Sequence, residues 1–326
     1  MARAVSNALE IAQPRRRARL QEPVSPLAVP ANRLGSASGG SIFEKSKPKG
    51  AVAALLPDGR LHLQQGPIDI VAEAFGDAVA VRAAYARAAG RFDTMLEELV
   101  AELPALRAEA AAVRGGIARR MAAAVAPFRP AFITPMAAVA GAVAEEVLAA
   151  IRGAGLRRAY VNNGGDIALW LAPGESLTCA LAVTGGMDRV TLRAGNPVRG
   201  IATSGWRGRS LSLGVADSVT VLARTAAMAD AAATMIANAV DVPGHPGIRR
   251  CPARTVAADS DLGDRLATTA VPPFSADDRG RALVAGLQAA EGFRQRGLIE
   301  GAALFLQGEV QMTGALAVPE GEVARD

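Results

Sequence analysis

Three short polar segments, set in a chain that is otherwise largely aliphatic, are the places where chemistry could reside. Asn163-Gly164-Gly165-Asp166 is an amide-rich bend ending in a carboxylate. Its paired glycines can take backbone conformations closed to other residues and let a ligand approach the main chain. The same residues also suit a plain hairpin turn of the Asn-Gly kind. Thr203-Ser204-Gly205, at the end of a predicted strand, offers two hydroxyls and a flexible backbone. That is a hydrogen-bonding corner for a nucleotide, or an ordinary Ser-Gly turn. On a predicted helix, Asp230 and Thr234 lie four residues apart and share a face. A carboxylate beside a hydroxyl supplies the hard oxygens that Mg²⁺ takes, with water and phosphate completing its octahedron. Capping or a solvated helix face would use the same spacing.

The elements that must position these residues follow from periodicity and punctuation. Ala51–Leu56, the turn Pro57-Asp58-Gly59 and Arg60–Gln65 read as a β-hairpin. Gly66-Pro67-Ile68-Asp69 reads as a turn preparing a helix start. Ala-rich helices follow to about residue 127, with breaks predicted at Gly90, Pro104 and Gly115-Gly116. Phe132–Met136 reads as a short strand and turn, leading into a small-residue helix, Ala137–Ile151. A strand from Tyr160 enters the Gly-Gly bend and a second leaves it through Ile167–Leu171. Further strands are expected near 177–184, 189–194, 198–202 and 218–223, then a helix over Thr225–Val240 and an irregular stretch over 241–273. A helix from Ser275 to about Arg296 precedes a hairpin of Ala302–Gln307 and Glu309–Thr313, which echoes the first one. Runs of strands with segregated helices favour an α+β fold, mixed sheets flanked by helices, over a regular βαβ sheet. No GxGxxG fingerprint occurs in the right context.

Composition narrows the function classes. Aromatic residues make up 4% of the 326, so base-stacking platforms are scarce. Residues 1–50 hold nine Lys/Arg against three Glu, whereas the remainder has 27 basic and 28 acidic groups. The net +5 therefore belongs to the N-terminal segment, and no groove-wide positive field for nucleic acid is implied. Residues 1–46, with Pro14-Arg15-Arg16-Arg17-Ala18-Arg19, several prolines and a Gly/Ser cluster, read as a disordered basic leader. A docking arm is the other reading of that segment. Residues 47–326 then form one domain. Cys179 and Cys251 give neither a disulfide framework nor a CxxC pattern, and His62 and His245 are too few and too far apart for a zinc site. No run of apolar residues is long enough for a membrane span and no signal peptide is apparent, so the expected location is the cytoplasm.

In combination, the order Asn163-Gly164-Gly165-Asp166-Ile167, Ala202-Thr203-Ser204-Gly205, then Ala229-Asp230-Ala231 with Thr234 resembles the ApbE-like superfamily, whose best-known members are flavin transferases. Those use Mg²⁺ and FAD to attach FMN to a Thr or Ser of an acceptor protein. Gly66-Pro67-Ile68-Asp69, Ile133–Gly141 and Asp259-Ser260-Asp261-Leu262-Gly263 extend the likeness over about 50–315 and look like a distinct branch of that superfamily. The resemblance implies an ApbE-like fold and an FMN-transferase type of phosphoryl transfer, with FAD as substrate and an acceptor protein as partner. It implies Asp230 and Thr234 as metal ligands, joined by the Ala137 carbonyl, and a flavin-nucleotide pocket lined by Asn163–Asp166 and Thr203–Gly205. Two departures stand out. The Lys-Gly-x-Ala-x-Asp run of flavin transferases is replaced by Ala140-Gly141-Ala142-Val143-Ala144-Glu145. Their His-x-x-Asp-Pro loop is replaced by Ser210–Ala216. These departures open a second reading, a scaffold that binds a nucleotide or another small metabolite without turnover.

Overall fold

A computed structural model describes residues 50–183 and 186–316. The predicted basic leader lies outside the described residues. In chain order the elements are β1 (Val52–Leu55), β2 (Leu61–Gln65), β3 (Ile68–Gly76), α1 (Ala78–Ala101), α2 (Leu103–Leu106), α3 (Gly116–Val125), α4 (Val139–Ile151), β4 (Leu156–Asn163) and β5 (Asp166–Leu171). They continue with β6 (Ser176–Val183), β7 (Gly186–Arg193), β8 (Gly200–Ser204), β9 (Ser218–Ala223), α5 (Ala226–Ala239), β10 (Arg249–Pro252), α6 (Ala253–Val256), β11 (Leu266–Ala270), α7 (Ala276–Gln295), β12 (Gly301–Leu306) and β13 (Glu309–Gly314).

The fold is α+β, and its largest sheet is a nine-stranded antiparallel one in the order β1-β2-β3-β4-β5-β8-β9-β12-β13. The two similar hairpins read in the sequence occupy its opposite edges. Side-chain alternation divides the core. On one face Ile70, Ala72, Val161, Ala168, Ala202, Val219 and Leu304 meet the helices. On the other, Tyr160, Ile167, Leu169, Ile201, Leu222 and Phe305 are covered by Leu177, Cys179 and Leu192 of the β6–β7 hairpin.

Four expectations are corrected. Gly66-Pro67 turns β2 into a third strand, β3, rather than starting a helix, and the register runs from Leu61 opposite Ala72 to Gln65 opposite Ile68. Gly90 does not interrupt α1, because a glycine mid-helix costs only about 1 kcal/mol, which packing overrides. Residues 132–134 form no strand; Thr134 caps a single 3₁₀ turn over Pro135–Ala138, and the α-helix begins at Val139. The stretch 241–273, read as irregular, contains β10, α6 and β11.

The helices over the sheet are thin by composition. In α5 the alanines 226, 227, 229, 231, 232, 233 and 237 are buried. A β-carbon at Gly141 would lie 2.3 Å from the Ala226 carbonyl oxygen, and one at Gly200 would lie 2.2 Å from that of Thr225. Small residues at these contacts let α4, α5 and β8 approach at backbone distance, which brings the polar segments together.

Candidate functional site

Asn163 and Asp166 face one another across the β4–β5 turn, and Gly164 and Gly165 between them have φ of +66° and +113°. Those angles favour glycine and make the bend a two-residue hairpin turn whose loop residues are Gly164-Gly165 rather than Asn-Gly. The Asn162 side chain locks it by accepting from the Gly165 N–H at 2.8 Å. Asn163 and Asp166 lie on the helix side of the sheet, and Asn163 Nδ2 donates to the Ala140 carbonyl at 3.1 Å, tying the turn to the start of α4.

The pairing of β5 with β8 covers only Ile167–Ile201 and Ala168–Gly200. Beyond it the Thr203 N–H donates to Asp166 Oδ1 at 3.1 Å, so a carboxylate takes over from the ladder as the strands part. Two of the predicted segments thus touch directly. Thr203 contributes its backbone, not its hydroxyl. Its Oγ1 is on the far face, 2.9 Å from Thr220 Oγ1. Ser204, opposite Val219, belongs to the helix side. Gly205 packs against the Asp217 carbonyl, where a β-carbon would come within 2.5 Å.

Asp230 comes in from α5, which packs on β5, β8, α4 and the 3₁₀ turn that carries Ala137. Its Oδ2 accepts from the Gly141 N–H at 3.0 Å, so Asp230 caps the first turn of α4 from a neighbouring helix. The capping role foreseen for this residue is therefore present, but backbone bonds do not use all the acceptor positions of a carboxylate. Thr234 sits one turn further along α5, partly exposed.

The two carboxylates, 64 positions apart in the chain, meet here. Burial pushes Asp166, 9% exposed, up to about 7, against the opposing pull of the Thr203 N–H and the nearby Arg209 charge. Burial raises Asp230 well above the usual carboxylate range, and the neighbouring Asp166 charge raises it further. Two like charges in a low-dielectric space need a proton or a cation between them. Among the described residues no cluster of three or more His, Cys, Asp or Glu could hold a metal ion. A divalent ion here would rely on carboxylate, hydroxyl, carbonyl and water oxygens, the set that suits Mg²⁺ and not zinc.

Three further residues bear on the site, of which Arg209 and Asp261 have no role assigned from the sequence. Arg209, on the loop after Gly205, rests over the glycine turn: a β-carbon at Gly164 would be 2.0 Å from its Nη2. Asp261 Oδ2 accepts from Thr134 Oγ1 at 2.5 Å, anchoring the loop after α6 to the cap of the turn holding Ala137. Glu145, at the position compared with the transferase carboxylate, accepts from the Ala227 N–H at 2.8 Å and pairs with Arg120 at 3.1 Å. It is a packing and capping residue between α4 and α5. Asp261 and Glu145 stand in segments that the sequence marks, Asp259–Gly263 and Ala140–Glu145, but their partners are distant in the chain; Arg209 has no local motif and is found only by its place over Gly164.

The family model described as AbpE bacteria matches residues 53–312. The chain belongs to this ApbE-like family. Among similar proteins, a UPF0280 protein of Methanothermobacter thermautotrophicus is 42% identical over 120 residues, 35% of this chain and 46% of that one. A UPF0280 protein of Methanococcoides burtonii is 35% identical over 122 residues, 36% of this chain and 49% of its own. The chain thus spans about half the length of the curated relatives it matches. The apo crystal structure of the Pseudomonas stutzeri flavinyl transferase ApbE aligns over 83% of this chain and 96% of its own, at 13% identity and a TM-score of 0.35. Among the described residues no helix is long and apolar enough to cross a membrane.

Proposed function

We propose that this ApbE-like protein is an Mg²⁺-dependent enzyme acting on a flavin nucleotide, with FAD as substrate and an FMN-transferase type of phosphoryl transfer. The observation that carries the reading is the meeting of Asp166 and Asp230 in one buried space beside the glycine turn. Asp230, Thr234 and the Ala137 carbonyl would hold the metal. When bound, Mg²⁺ would neutralise charge on the pyrophosphate and on the leaving group. Asn163 fixes the turn against α4, and Asp166 keeps Thr203-Ser204-Gly205 beside it, so the protein's own part is to position the dinucleotide. In the reaction, a hydroxyl oxygen of an acceptor protein forms a bond to the FMN phosphorus as the bond from that phosphorus to the AMP oxygen breaks, and the hydroxyl proton passes to solvent or to the leaving phosphate, giving flavinylated acceptor and AMP. Incubation with FAD, Mg²⁺ and candidate acceptor proteins should release AMP, and Asp230→Ala should abolish it. A wild-type protein that binds FAD with Mg²⁺ yet yields neither AMP nor flavinylated acceptor sinks the transferase reading.

A second reading, nucleotide or metabolite binding without turnover, is favoured by one feature. The histidines lie elsewhere, His62 2.8 Å from Asp69 on the β2–β3 hairpin and His245 edge-on to Phe274, while Glu145 is engaged in capping. Ligand binding that persists in Asp230→Ala without metal dependence would select it.

A further inference from the structure

We infer that Arg209 is the residue that grips the phosphate groups of the ligand at this site, an inference that rests on the nucleotide reading above. Two buried carboxylates that act on one another repel a phosphate, so a site for one must also present positive charge. Beyond Lys49 the sequence contains no lysine, so among the described residues every side-chain cation, histidine aside, is an arginine. Most nearby guanidinium groups are engaged. Arg207 is 2.7 Å from Asp217 and stacks on Trp206, and Arg120 pairs with Glu145 and Glu146.

Arg209 differs. Among the described residues its guanidinium makes no hydrogen bond and no carboxylate lies within ion-pair distance, yet it lies over Gly164 and its charge acts on Asp166. Its loop is nonetheless held on both sides. The Trp206 N–H donates to the Ala216 carbonyl at 3.0 Å, the Leu213 N–H to Asn238 Oδ1 at 2.9 Å and the Val215 N–H to the Val240 carbonyl at 2.8 Å. An exposed guanidinium on a fixed loop, above the point where β5 and β8 part, is placed to receive a phosphate bidentately. The glycine at 164 leaves the space that it occupies.

The test uses the full chain at fixed Mg²⁺, with calorimetric titration of FAD, inorganic pyrophosphate and riboflavin, which lacks phosphate. Arg209→Ala should weaken FAD and pyrophosphate by about 10- to 100-fold and leave riboflavin unchanged, with Arg209→Lys in between. Arg207→Ala, an equally exposed charge on the same loop, should leave all three as in wild type. Melting curves establish that each variant is folded. Should Arg209→Ala bind FAD and pyrophosphate as wild type does, the inference is overturned while the flavin reading stands. If wild type binds pyrophosphate in an Arg209-dependent way but no flavin, the inference holds and the flavin reading fails. Wild type that binds neither overturns both.

Discussion

Asp166 and Asp230 pose opposite demands on one small volume. Each is needed as a charge if it serves a cation, and each is raised by burial when that cation is away. Asp230 carries the further duty of capping α4 through Gly141. These roles separate by substitution. Asp230→Asn keeps an acceptor for the Gly141 N–H and removes the charge, so in divalent-free buffer near pH 8 it should raise Tm, by about 2–4 °C if roughly 1 kcal/mol is relieved. Asp230→Ala leaves buried N–H groups unpaired, at a cost of about 1–3 kcal/mol, and should melt lower than wild type. Both should lose any rise in Tm on adding Mg²⁺. Melting curves with and without Mg²⁺ check this, and an Asn variant that melts lower yet still responds to Mg²⁺ would show that the carboxylate is only a cap.

The elements explain why the three polar segments could be read in the sequence and their partners could not. Asn163–Asp166 announced its turn because two glycines at positive φ leave few alternatives. Thr203 was visible as a residue, but whether its hydroxyl or its N–H faces the site depends on strand phase, which Thr220 across the ladder decides. β3 was hidden by Gly66-Pro67, whose turn chemistry serves a hairpin as readily as a helix start. Thr134 and Asp261 stand in two segments that the sequence marks, but their bond spans 127 positions and nothing local joins them. The glycines make the same point experimentally. A methyl at Gly141 meets the Ala226 backbone and must push α4 off α5, so Gly141→Ala should cost about 1–3 kcal/mol. Gly90, in α1 with open space around it, should gain about 0.5–1 kcal/mol on the same change. Chemical denaturation of the two variants measures both signs; equal effects would refute close packing of α4 on α5 as the reason for glycine at 141.

For the molecule as a whole, the buried pair should set the pH dependence of stability. Asp166 titrates at about 7 when folded and near 3.9 when unfolded, and Asp230 is displaced in the same direction. The folded state therefore binds more protons than the unfolded state between those values. Its stabilising contribution is complete below about pH 4 and is lost as pH rises through about 7, a change on the order of a few kcal/mol. Surface carboxylates held low by hydrogen bonds, Glu98 by that from Arg91 and Asp278 by those from Ser275 and then Arg281, act oppositely, and their contribution falls away only in acid, as pH drops towards their lowered values. In EDTA, Tm should thus decline from pH 5 to pH 8, and Asp166→Asn should flatten the decline. Mg²⁺ competes with those protons for the same oxygens, so it should raise Tm strongly at pH 8 and little at pH 5, with about 2.7 kcal/mol available at a concentration 100 times its Kd. A flat EDTA profile, or a Mg²⁺ effect equal at the two pH values, would mean that the two carboxylates neither share their charge nor meet a cation.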